Sequence, residues 1–398
     1  VAGHGPERLE YEKETIAVDL RFEERQEKLR ETMRKFVEQE IPREYARELD
    51  EKDEFPHDLI RKLVDYDLAR INIPREYGGH GGDILDLMII FEEIAKRFPT
   101  LCWSFGNILL YGNEIIGVNG NTEQKEKYLP RLAKGEIKFS FGLTEPDAGS
   151  DAASIRTRAV FDDGHYVING NKMFITGAGV TEYTITFART AESKYNGITS
   201  FIVDTSLEGY SAKQLEKIGH RGSNTCEVTY ENVRVSPGDI LGGEEGLNKG
   251  WWQEMKLLNQ ERLVLSSCAL GIAQAAFDDA LVYARAKLGR TQDKGVAQMI
   301  QHQLADMASS VEAIRYLIYA AAWKETKGMQ PVMETSISKY FSAETAKRVV
   351  TQGLDILGAD AALMEHDMQR YLRDIMIYSI GGGTSEIQKN IIAKTLNL

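Results

Sequence analysis

Helical periodicity at both ends of this 398-residue chain, with a β-rich stretch between them, is the feature that most restricts its fold. From about Glu24 to Glu38 apolar residues recur at helical spacing among dense charges, and Phe55-Pro56 opens a helix running to about Tyr66. Ile73-Pro74-Arg75-Glu76-Tyr77-Gly78-Gly79 is a cluster of helix breakers and reads as a loop, followed by a long apolar helix from about Asp83 to Lys96. Between about Phe139 and Leu241 the pattern changes. Arg156–Val160 and His165–Ile168 flank Asp162-Asp163-Gly164, a hairpin signal, and three further β-branched runs at 184–188, 199–203 and 227–230 make a small, mostly antiparallel β unit. From about Gly250 segments near 251–288, 297–326, 335–357 and 385–396 give four helices, enough for a bundle. Strand and helix do not alternate, which argues against a doubly wound nucleotide fold, and an α+β multidomain chain is expected.

The formal net charge of −12 argues against a nucleic-acid binder, which needs a basic face. Cys102, Cys226 and Cys268 are far apart and form no CxxC pair, so they read as free thiols in a reducing compartment, and a cytoplasmic enzyme is expected. None of the seven histidines has metal-ligand spacing with a Cys, Asp or Glu partner; His220 and His302 read as core or surface residues, and no metal is expected. Unbroken apolar runs fall far short of about 20 residues, so no membrane span is expected. The first residues, Val1-Ala2-Gly3-His4-Gly5, lack the apolar core of a secretory signal.

Four segments carry chemistry. In Phe139–Asp151, Thr144, Ser150 and the glycines offer hydroxyls and backbone amides around a turn, suited to a planar polar heterocycle or a phosphate; by composition an ordinary inter-domain loop fits equally. Phe174, two residues before the Thr176 hydroxyl, suits a ring face, although a core role is the plainer reading. In Leu257–Leu265, Leu258, Glu261, Leu265 and Cys268 share one helix face. Desolvation of a carboxyl in such a stripe raises its pKa toward working pH, as a base for a weakly acidic C–H requires; a Glu261–Arg262 edge touching water is the bland alternative. Gly381-Gly382-Gly383-Thr384-Ser385-Glu386-Ile387-Gln388 exposes amides ahead of the final helix, with Ser385…Gln388 at capping-box spacing. Such a terminus favours an anion or a developing oxyanion, and a triple glycine is also an ordinary linker.

In this order the segments resemble the acyl-CoA dehydrogenase family from about Leu20 to Leu398. Residues 73–79 resemble its IPxEYGG loop, Leu143–Asp151 its TEPxAGSD signature, Asn169–Thr176 its NGxKxxIT strand, and Gly383–Gln388 its GTSEIQ ending. The resemblance implies an N-terminal helical domain (1–138), a middle antiparallel β-barrel (139–241) and a C-terminal four-helix bundle (242–398). It implies FAD between barrel and bundle, with the adenosine end reaching a neighbouring subunit. Phe141, Leu143, Thr144, Phe174 and Thr176 would line the flavin, and Thr384, Ser385 and Glu386 its other parts. Ser150, Asn259, Arg262 and Gly383 would face the coenzyme A thioester.

Most of the family carries glutamate where this chain has Gly382. A minority, including isovaleryl- and long-chain-type enzymes, carries glycine there and the base on the bundle helix, at the position of Glu261. This chain fits the minority: Glu261 would take the α-proton, filling the volume left at Gly382, whose amide would hold the thioester oxygen. Two motifs depart. RxxFG reads Lys287-Leu288-Gly289-Arg290-Thr291, aligned through Gln298, and QxxGGxG reads Asp355–Ala361, putting Asp355 and Ala359 at diphosphate positions where Lys287 or Arg290 must compensate. The resemblance implies electron-transferring flavoprotein as acceptor and a homotetramer, with a mixed tetramer of partial flavin occupancy as the alternative; an oxidase or flavin monooxygenase on the same fold is the chemical rival. Trp103 and Phe105 are expected at the pocket floor, and Phe98–Ser104 offers no arginine for a second carboxylate.

Overall fold

The computed structural model describes residues 19–288 and 293–398. The first region is built of α1 (Glu24–Glu40), α2 (Arg43–Lys52), α3 (His57–Asp65), α4 (Ile84–Ala95), α5 (Pro99–Ile108), α6 (Ile115–Asn119) and α7 (Thr122–Ala133). Asp83 begins α4 because its carboxylate accepts from the amides of Leu85 and Asp86, while Asp86 reaches back to the Asp83 amide. The breaker cluster folds as a tight turn in which a Cβ on Gly79 would stand 2.0 Å from the Ile73 carbonyl. Between α5 and α6 the backbone widens into a π-helical turn, Leu109–Glu114. This rotates Tyr111 and Glu114 out of the register a continuous α-helix would give them.

Seven strands follow: β1 (Phe139–Gly142), β2 (Arg158–Asp162), β3 (His165–Thr176), β4 (Tyr183–Arg189), β5 (Ile198–Asp204), β6 (Tyr210–Gln214) and β7 (Thr225–Val235). They form one half-barrel sheet of order β1-β4-β2-β3-β7-β6, with β5 on β4; β1 and β2 run parallel to β4 and the other pairs are antiparallel. Asp163 (φ 44°) and Gly164 (φ 77°) make the left-handed two-residue turn between β2 and β3. The β3–β7 register slips between Lys172 and Ile175.

The remaining helices are α8 (Gly250–Leu288), α9 (Lys294–Thr326), α10 (Val332–Leu357), α11 (Met368–Ile375) and α12 (Ser385–Thr395). One apolar core runs through both helical regions, and the sheet keeps a second of its own. Helix α8 crosses α4 at Gly271, where an added Cβ would lie 2.5 Å from the Glu92 carbonyl. Counting unbroken apolar runs missed that α8 is long and apolar enough on average to cross a membrane; 78% of that window is buried inside the molecule, as in a bundle's core helix.

Candidate active site

Two buried polar clamps fix the walls of the site. On α5, Asn107 donates to the carbonyls of Phe139 (2.7 Å) and Thr176 (3.1 Å), tying β1 and β3 to the helix that carries Trp103. On β3, the buried Lys172 ammonium donates to Glu145 (2.8 Å) and to the Leu143 carbonyl (3.0 Å). Glu145 also accepts from the amides of Arg156 and Thr157, and the Met173 amide donates to the Thr144 carbonyl. Burial pushes Lys172 down to about 8, yet Glu145 is held below the usual carboxylate range by Lys172 and those amides against its own burial. At neutral pH both are charged, and the Leu143–Asp151 loop is stapled to β3.

The staple sets out Phe141, Leu143, Thr144, Phe174 and Thr176 along the ends of β1 and β3. Phe174 has φ 63° and is 67% exposed, an aromatic ring held in a strained backbone conformation with nothing over it. A ring presented this way beside the Thr176 hydroxyl fits a planar heterocycle such as an isoalloxazine. Ser150 is exposed on the loop that follows β1.

Across from these strands, α8 presents Glu261. Its carboxylate accepts from the Tyr111 hydroxyl (3.4 Å) on the π-helical turn. Burial raises its pKa, opposed by Arg262, the tyrosine hydrogen bond and Lys339. Arg262, expected against coenzyme A, is buried and turned inward, its Nε donating to the Gly382 carbonyl (3.3 Å). Lys339 on α10 donates to the Gly383 carbonyl (2.6 Å), and Gln388 Nε2 donates to both glycine carbonyls (3.1 Å each). These donors pin the carbonyls inward and leave the Gly382 amide without a hydrogen-bond acceptor among the described residues.

Two expectations need correction. The space freed at Gly382 (φ 66°) is not filled by the Glu261 carboxylate: a Cβ there would lie 2.6 Å from Leu265 Cδ1, one turn along the same face. Glycine is favoured here by the left-handed backbone, and any side chain would also have to displace Leu265. The cap of α12 is Thr384, whose Oγ1 accepts from the Ile387 amide, because Ser385 already has helical backbone; Ser385 donates instead to Glu344, and Gln388 to the glycine carbonyls.

Glu261 lies between two cavities. One, enclosing about 310 Å³ of empty space, is apolar apart from Glu261 and the Tyr111 hydroxyl and is walled by Phe91, Cys102, Trp103, Leu265 and Cys268. The other, about 300 Å³, is lined among others by Tyr111, Glu114, Phe141, Glu254, Gln260 and Glu261. Trp103 is thus a pocket wall, whereas Phe105 is fully buried core. Asn259 is half-buried on another face of α8, and Thr384 and Glu386 sit at the start of α12.

The structure does not bring the diphosphate-motif positions to this site. Lys287, Gln298, Asp355 and Ala359 are exposed, and Lys287 is about 39 Å from Glu261 along α8. Arg290 lies outside the described residues. The Tyr283 hydroxyl donates to Asp360 (2.7 Å), and the Lys287 ammonium lies 5.6 Å from the Tyr283 ring centre. Sequence reasoning missed Asn107, Tyr111, Glu145, Lys172, Glu254 and Lys339, none of which stands out by spacing; only Glu145 and Lys172 lie inside recognisable motifs.

The acyl-CoA dehydrogenase N-terminal, middle and C-terminal domains match residues 23–136, 140–233 and 248–397. The chain is 39% identical to a 3-(aryl)acrylate reductase of Clostridium sporogenes over 94% of its own length and 99% of that protein's. Among solved structures it is similar to butyryl-CoA dehydrogenase of Megasphaera elsdenii (32% identity, TM-score 0.89, covering 96% of this chain and 100% of that one). It is equally similar to a chain from work on the electron transferring flavoprotein of Acidaminococcus fermentans and flavin-based electron bifurcation (30% identity, TM-score 0.89, covering 95% and 99%).

Replacing Lys172 with Met leaves the buried Glu145 without its counter-charge, held only by the Arg156 and Thr157 amides. The expected cost is about 3–5 kcal/mol of stability, read as a lowered midpoint in denaturant unfolding.

Proposed function

The chain belongs to the acyl-CoA dehydrogenase family, and from that membership we propose that it removes the α and β hydrogens of an acyl-CoA thioester with Glu261 as the base. The observation that carries this reading is the raised-pKa carboxyl of Glu261 between two cavities, beside the unengaged Gly382 amide. The thioester oxygen accepts from that amide, which acidifies the α-carbon by stabilising negative charge on the oxygen. Arg262 and Lys339 hold the glycine turn that carries the amide, through the carbonyls of Gly382 and Gly383. Glu261 takes the α-proton, and Tyr111 holds the carboxylate in place. Bound FAD, lined by Phe141, Leu143, Thr144, Phe174 and Thr176, supplies the acceptor for the β-hydride. Trp103 closes the apolar cavity, which limits the length of a hydrocarbon chain placed there.

Electrons pass on to electron-transferring flavoprotein, a reading supported by the similarity to the A. fermentans chain. Three buried free thiols suit a reducing, cytoplasmic setting. The exposed Lys287, Gln298, Asp355 and Ala359, far from Glu261 on their own chain, support contact with a neighbour's cofactor in a homotetramer. One FAD per subunit in the purified oligomer is the expected stoichiometry; half that value means a mixed assembly.

A base must be deprotonated to act, so kcat/KM should fall as pH drops through the raised pKa of Glu261. The acid limb therefore lies above the ordinary carboxylate value of about 4.3. In Glu261→Gln, anaerobic flavin bleaching by the preferred acyl-CoA should slow by about 10²–10⁴-fold. Bleaching at the wild-type rate, with an unchanged pH profile, would remove Glu261 from the mechanism.

A further inference from the structure

We propose that the second cavity is a binding site for a primary ammonium group carried on the acyl chain, with Glu254 as its anchor; this rests on the acyl-CoA reading above. Glu254 lies seven positions before Glu261 on α8, two turns along the same face and about 10 Å away along the axis. Its side chain is 4% exposed and lines the cavity, and its carboxyl has no hydrogen-bond partner among the described residues. A buried carboxyl aimed into a cavity without a partner is costly unless something else satisfies it.

The surroundings define what that something is. Glu114 shares the cavity and accepts from Asn72 (3.1 Å), and Gln260 interacts with both Glu114 and Glu325 on α9. One Glu325 oxygen is buried and unpartnered. Burial raises the pKa of Glu254 and Glu114, and that of Glu325 to about 7. Against these carboxyls and Glu261 the nearby cations are Arg262 and Lys339, and both direct hydrogen bonds to the glycine carbonyls. The Arg262 charge acts on both Glu261 and Glu254, but its guanidinium is hydrogen-bonded to the Gly382 carbonyl. Four carboxyls therefore stand against two cations, and the acceptors are in excess. Its other wall is the stacked pair Tyr111 and Phe141, ring centres 5.3 Å apart, and aromatic faces also attract an ammonium. Glu261 borders both cavities, so with the α-carbon there a hydrocarbon chain enters the apolar cavity, whereas an amino-terminated chain of moderate length turns into the second and lays its nitrogen toward Glu254.

The test compares anaerobic bleaching of the FAD-loaded enzyme by 6-aminohexanoyl-CoA, heptanoyl-CoA and 6-hydroxyhexanoyl-CoA, which differ only in the terminal group. The amino thioester should exceed heptanoyl-CoA in kcat/KM by about tenfold or more, as expected of a charge-assisted hydrogen bond. In Glu254→Gln, which keeps the shape and removes the charge, that ratio should fall toward unity. Equal wild-type values for amino and heptanoyl thioesters overturn the proposal, as do equal values for amino and hydroxyl thioesters, which would mean that no cation is read. Bleaching by heptanoyl-CoA without an amino preference refutes this inference alone, whereas no bleaching by any acyl-CoA refutes the dehydrogenase reading.

Discussion

A carboxyl group on the buried face of a central helix is the constraint around which this protein is arranged. Glu261 cannot stay ionised in apolar surroundings without compensation, and the chain compensates with three groups from three elements. Tyr111 comes from the π-helical turn, Arg262 from α8 itself and Lys339 from α10. Each has a second effect. The turn that delivers Tyr111 also delivers Glu114, and the two cations that ease Glu261 also hold the carbonyls of the glycine turn.

Close approach of helices makes this possible, and glycine is the instrument. At Gly382 the neighbour is Leu265; at Gly271 it is the backbone of α4. A side chain at Gly271 would meet the α4 backbone and force the two helices apart, whereas one at Gly382 would have to displace the Leu265 side chain and adopt a left-handed backbone. On the opposite wall, Asn107 and the Lys172–Glu145 pair hold β1 and β3 against the helices. The strained, exposed Phe174 is stable because the bulged strand beneath it is anchored at Lys172.

Much of this architecture is legible in the residues. Asp83 marks the start of α4 because its carboxylate has amides to cap, and Asp163-Gly164 marks a hairpin because both residues tolerate left-handed backbone. Glu261 stands out because a carboxyl in an apolar stripe contradicts its neighbours. What escapes is what depends on distant partners. Helix α2 is amphipathic but only ten residues long, and strand β6 is a five-residue exposed edge, so each is a short signal. The cap at Thr384 instead of Ser385 is a one-residue shift that backbone geometry decides. The inward turn of Arg262 and the isolation of Glu254 are invisible in sequence, because a missing partner shows only once every neighbour is placed.

The central claim, that Glu261 exchanges a proton with the α-carbon of a bound thioester, is tested most directly by isotope wash-out. Enzyme with FAD in place, incubated without an electron acceptor with an α-deuterated acyl-CoA in ordinary water, is followed by NMR for loss of deuterium at that carbon. The account predicts wash-out by wild-type enzyme and none above background with Glu261→Gln, although the variant still binds the thioester. Wash-out at the wild-type rate in that variant would place the base elsewhere and contradict the account.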